Sequence, residues 1–205
     1  MLSGSAAGLV CLLLAGCAFT DATVVIEHQR VFQKPLVTDG AAFRLGPIRD
    51  RRSDPSRIGC KKSGYGGESA GIFLSLPLEH WFRQELLTEL QGAGLRPAVT
   101  DDGKAVRIEV DVLNFFAEPD VGLNFDIFAI VHAEVRVYFP DGTAFARRFA
   151  ATAHKGFMTV MAGNFVEIIS QAMEDWLRQA VPAVVNLLQA HAGGRLSAAG
   201  WSSTS

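Results

Sequence analysis

The sequence predicts an α+β domain, an antiparallel sheet with two helices packed on one face. Three observations lead there. Apolar residues hold every odd position from Leu123 to Phe139, and Asn124, Asp126, His132, Glu134 and Arg136 stand between them, the period of a half-buried strand. Pro140-Asp141-Gly142 then turns the chain into a second alternating run, Thr143 to Phe149, so the pair forms a hairpin. Two stretches, after Pro77 and after Asn164, space their apolar residues for one face of a helix.

The elements follow in chain order. Thr23 to His28 is a short strand or tether segment, and Lys34-Pro35 and Asp39-Gly40 are turn signals, so residues 17–41 read as anchor and tether. Ala42 to Arg49 is a strand with Phe43, Leu45 and Ile48 inward, and Asp50 to Gly71 is irregular. Pro77 presets the first turn of a helix whose face is Leu78, Phe82, Leu86 and Leu90, with Trp81 and Ala93 beside it. Gly92 and Gly94 end that helix. Val106, Ile108, Val110 and Val112 alternate with Arg107, Glu109 and Asp111 as a second strand.

The run from Leu123 to Phe139 far exceeds the usual strand of about five or six residues, so it should bend near Phe128 or begin after Leu123. Asn164 with Glu167 resembles a capping box that opens the last helix. Its face is Phe165, Ile168, Ile169, Ala172, Met173, Trp176, Leu177 and Ala180. Pro182 should kink or split it before it resumes through Leu188. The domain is thus expected over 42–190, and the Gly/Ser/Ala-rich residues 191–205 as a disordered tail.

The N-terminus carries the most specific signal. Leu9 to Leu14 is apolar, too short for a bilayer span of about 20 residues but right for an export signal. The following Leu14-Ala15-Gly16-Cys17 resembles the lipobox of bacterial lipoproteins. That resemblance implies a signal peptide over residues 1–16, cleavage before Cys17, and diacylglycerol and N-acyl (palmitate-type) lipid on Cys17. Ala18 follows where Asp commonly retains such proteins in the inner membrane, so the implied destination is the periplasmic face of the outer membrane.

Chemistry is sparse. A net charge of −2 argues against bulk nucleic-acid binding. Gly59 to Gly64 has the glycine spacing of a phosphate loop, but Tyr65-Gly66 stands where Lys and Ser/Thr are needed, so no nucleotide is expected. The histidines are scattered; His132 and Glu134 share a strand face without ligand spacing, and neither a metal site nor a catalytic residue is expected. Enzyme activity is unsupported. With Cys11 removed and Cys17 lipidated, Cys60 is left alone, either a half-buried small residue or a thiol that pairs with another protein. Candidate partner or ligand contacts are Arg51 and Arg52 in the basic segment, and Phe115, Phe116, Met158 and Met161 among bulky residues outside clean periodicity.

Taken together, Leu14–Cys17, the strand into Pro47-Ile48-Arg49-Asp50-Arg51-Arg52, Ile58-Gly59 and the helix ending at Leu86–Leu95 look like the YajG-type family of uncharacterised bacterial lipoproteins. A wider similarity is to auxiliary lipoproteins of envelope ABC transporters. Neither resemblance implies a catalytic site. Two readings follow: a non-enzymatic lipoprotein docking onto an envelope transport or assembly complex, or a periplasmic carrier of a lipid or other apolar ligand. A docking subunit predicts an exposed apolar patch or a free sheet edge, a carrier an enclosed apolar cavity between sheet and helices.

Overall fold

The alternating runs build a meander. In the computed structural model, which describes residues 20–27, 30–99, 103, 105–121, 125–194 and 200–203, β6 (Val106–Val121), β7 (Phe125–Tyr138) and β8 (Ala144–Phe157) pair antiparallel along nearly their whole lengths. β7 spans Phe125–Tyr138, and Leu123, where the run is expected to begin or be shortened, lies outside the described residues. β6 is longer than its alternating pattern, because a bulge between Val112 and Asn114 shifts the register. Before the bulge even residues point inward; after it Phe115 and Ala117 do so, opposite Val131 and Ala129. One extra residue therefore hides the strand's second half from a period-two reading.

Among the described residues the remaining strands are β1 (Ala22–Val24), β2 (Ala42–Asp50), β3 (Gly59–Lys62), β4 (Glu68–Leu74), β5 (Arg96–Pro97) and β9 (Ser202–Ser203). The order is β1-β4-β3-β6-β7-β8-β9, with β2 also on β6 and β5 on β2. The sheet is mixed and mostly antiparallel, which corrects the purely antiparallel expectation. β2 lies parallel to β6 because α1 (Leu78–Gly92) intervenes, and a crossover through a helix returns the chain in the same direction. β3 and β4 form a hairpin inside the segment expected to be irregular.

The core is aromatic. Trp81 of α1 meets Phe115 edge-on at 5.3 Å. Phe82 meets Trp176 of α2 (Ala162–Ala192) at 5.0 Å, and Trp176 meets Phe149 at 6.3 Å. The Trp176 indole N–H donates to the Phe149 carbonyl at 3.2 Å, so the polar end of this buried ring is satisfied. α2 is not split at Pro182; Val181, Val184, Val185 and Leu188 around it are buried and hold the turn. Its start also differs from the expectation. Asn164 accepts the Met161 N–H at 2.7 Å, which puts the cap at Met161, while Glu167 pairs with Lys155 at 2.6 Å.

The described residues of the expected tether, 20–27 and 30–41, are part of the folded body. β1 pairs with β4, the Trp81 indole N–H donates to the Ile26 carbonyl, and the buried Glu89 carboxylate accepts the Val31 and Phe32 N–H groups at 2.9 and 3.0 Å. Leu36 and Val37 donate to the Ala93 carbonyl. Gly40 passes so close to the helix end that a Cβ would lie 2.3 Å from the Gly94 carbonyl oxygen, and Gly94 itself sits at φ +97°. The tail expectation also changes for residues 200–203: Ser202 and Ser203 pair with Ala146 and Phe145, and the Trp201 ring meets Phe149 at 6.1 Å. The signal segment and Cys17 lie outside the described residues.

Candidate functional site

Two environments divide the sheet face formed by the even residues of β7. Register places Asp111, Glu134 and Arg148 in one row, with Glu109 and Arg136 in the next. Glu109 and Asp111 are buried carboxylates, so each needs charged partners to offset its lost hydration. Arg49 reaches both, at 3.0 and 3.3 Å. Arg107 adds 3.4 Å to Glu109, and Arg136 adds 2.9 Å to Asp111. Burial opposes ionisation of Glu134, but hydrogen bonds from Arg148 and Arg136 outweigh it and hold its carboxyl below the ordinary range. This end of the face is closed by ion pairs, and Glu134, which shares a strand face with His132, is committed to arginines.

Farther along, the same face mixes apolar side chains with polar ones. Glu118, Phe128 and His154 share one row, and Phe116, Ile130 and Thr152 the next. Leu113, at the bulge, joins Phe116, Phe128 and Ile130 around an open depression of about 390 Å³. Phe128 is 39% exposed, a large share for a phenylalanine on a strand. Arg57 forms the rim, its guanidinium 5.7 Å from the Phe116 ring centre and paired with Asp54 at 2.8 Å and Glu68 at 2.6 Å. The Ser56 hydroxyl, and then Arg57, hold the Asp54 carboxyl down at about 2. The rim is thus a fixed, charged loop beside an apolar floor.

The six expected contact residues separate. Arg52 is not available: its guanidinium grips Asp50 at 2.7 Å and donates to the carbonyls of Pro55, Arg57 and Phe115, so it fastens the loop between β2 and β3. Phe115 is wholly buried beneath Trp81 and belongs to the core. Arg51 stays largely exposed, 3.9 Å from Asp111. Met158 and Met161 are 95% and 63% exposed, in the connection between β8 and α2. Of the six, Arg52, Phe115 and Phe116 line the depression, and Phe116 belongs to its apolar floor. Phe128, Ile130, Leu113 and Arg57 join it; Leu113 and Ile130 escaped sequence reasoning. The signal existed: Phe128 and Ile130 occupy even positions in a run whose neighbouring even members, Asp126, His132, Glu134 and Arg136, are polar.

Cys60 is fully buried in β3, and burial pushes its thiol up to about 11. It is therefore a packed core residue, not a thiol poised for exchange. Among the described residues no helix is long and apolar enough to cross a membrane.

No family model matches the chain, and no curated protein does. Solved structures do. A Xanthomonas campestris protein described under DUF330 superposes with a TM-score of 0.57 at 12% identity, over 85% of this chain and 98% of that one. A crystal structure of an uncharacterised protein gives 0.54 at 12% identity, over 80% of this chain and 99% of its own. At such identity these likenesses concern the fold alone. A Neisseria meningitidis lipoprotein, GNA1162, aligns at 14% identity over 68% of this chain and 99% of its own, with a TM-score of 0.29, too low to bear on the fold.

Proposed function

We propose that this chain is a non-enzymatic envelope lipoprotein, related to YajG-type proteins, that is held to the outer membrane by acyl chains on Cys17 and docks onto an envelope protein complex. The docking surface is the sheet face turned away from the helices. One observation carries the reading: the space between sheet and helices is filled by Trp81, Phe82, Phe115 and Trp176, while an open apolar depression floored by Phe116, Phe128 and Ile130 lies on the opposite face. Both helices are read as sharing one face, since Trp81 and Trp176 reach Phe115 and Phe149, whose register partners Val131 and Ala133 point the same way.

A carrier would need its cavity where the aromatic rings stand. The groove between the two helices, lined by Trp81, Glu85, Ser170, Met173 and Leu177, has room for about 10 Å³, the lower limit for a single water. Docking is therefore favoured over carriage. A photo-crosslinking residue in place of Phe128, in intact cells at native expression, should capture a discrete envelope protein, and the adduct should disappear with Cys17→Ser. Capture of lipid alone would favour the carrier and sink the docking reading.

A further inference from the structure

The place where the chain joins the sheet fixes which end of the domain meets a membrane. Thr20 and Asp21 are pinned: the Lys61 ammonium donates to the Thr20 carbonyl at 2.9 Å, and the Asp21 carboxylate accepts the Gly71 N–H at 2.7 Å. Back from Thr20 to Cys17, the chain can reach only about 10 Å even when fully extended. An acyl anchor on Cys17 therefore leaves no slack for a domain held away from the bilayer.

Register then says what else lies at that end. Ala22 is level with Ile72, Gly59, Ala117, Ala129 and Ala153 across the sheet. β1 runs parallel to β4, so the chain arrives from the side where β4 begins. On that side the β3–β4 hairpin turns through residues 63–67, β6 ends at Val121, and β8 ends at Phe157. The hairpin tip carries Tyr65, wholly exposed, and the residue after β8 is the almost wholly exposed Met158. Exposed Met161 caps α2 at the same end. Cations there are already engaged, Lys62 with Glu118 at 2.7 Å and Lys155 with Glu167 at 2.6 Å.

We propose that this end lies against the bilayer, with Tyr65 and Met158 seated at the headgroup boundary beside the anchor. The inference rests on acylation of Cys17. Tyrosine suits the interface because its ring is apolar and its hydroxyl stays hydrated, and a flexible thioether side chain enters the same zone. With the lysines paired, contact depends on apolar insertion and little on anionic lipid. The orientation turns the depression at Phe128 sideways to the membrane, where a neighbouring envelope protein can reach it.

The test places an environment-sensitive fluorophore at Tyr65→Cys, Met158→Cys or Val99→Cys in the full-length acylated protein. Val99 is equally exposed but follows β5, whose partner β2 starts level with the beginning of β6, at the far end. In phosphatidylethanolamine–phosphatidylglycerol vesicles containing doxyl lipid, quenching should be several-fold stronger at positions 65 and 158 than at 99. It should change little when phosphatidylglycerol is omitted. Equal quenching at all three positions, in protein whose N-terminal peptide is shown by mass to carry its acyl chains, overturns the orientation and leaves the anchor intact. An unacylated Cys17 overturns the reading beneath it. Shielding of 65 and 158 in the Cys17→Ser protein that grows with protein concentration would assign this end to a second copy instead.

Discussion

The two faces of the central meander use the same strands for opposite ends. On one side, Phe82, Phe115, Phe149 and Trp176 interlock and exclude water. On the other side, ion pairs close one part of the face while Leu113, Phe116, Phe128 and Ile130 leave another part open and apolar. Burial is the cause of stability on the first face and is only partly achieved on the second. Apolar side chains left partly in water on an otherwise satisfied face add little to folding, and the docking reading proposes that a partner covers them.

The sharpest way to break this contrast is to cut into each side. Trp176→Ala removes a buried ring and the donor to the Phe149 carbonyl, and should cost about 3–5 kcal/mol in denaturant unfolding. Arg52→Leu leaves the Asp50 carboxylate buried without its partner, and the expected loss is again about 3–5 kcal/mol. A change near zero there would show that the loop between β2 and β3 does not depend on this pair.

Effects on the opposite face should be smaller and different in kind. Glu134→Gln weakens a charged network, with an expected loss of about 1–2 kcal/mol at neutral pH. Because the Glu134 carboxyl is held below its ordinary range, its contribution is present above that range and disappears as pH falls through the lowered value. Melting curves of wild type and variant should therefore converge in acid; a constant gap would mean that charge is not the cause. Phe128→Ser should change stability by less than about 1 kcal/mol while abolishing capture by a photo-crosslinking residue placed instead at Ile130, so binding and folding come apart at Phe128. Smallest of all, Cys60 should resist alkylation in the native protein at neutral pH and react fully on unfolding, since its thiol is buried and raised to about 11.

Periodicity made much of the frame legible. The hairpin at Asp141-Gly142 and both helices stand where alternation and four-residue spacing put them, because burial of one face demands those repeats. Short-range pattern failed where a single backbone event or a distant partner took over. The bulge at Leu113 exchanged the inward and outward positions of β6, which moved Phe115 into the core and Phe116 onto the open face. Residues 22–41 look like a linker, yet Glu89, remote in sequence, supplies the carboxylate that binds their backbone. Arg52 reads as one more basic loop residue until Asp50 and the Phe115 carbonyl come within reach.

The sequence by itself determined the α+β class, the secondary-structure periods and the resemblance of Leu14–Cys17 to a lipid-attachment signal, since each depends on neighbours within a few residues. Tertiary structure alone decided the mixed strand order, the burial of Cys60 and Arg52, and the gathering of Phe116, Phe128 and Ile130 beside Arg57. Those outcomes depend on which strands become neighbours and in which register, and register is set by the closure of the whole sheet around its core.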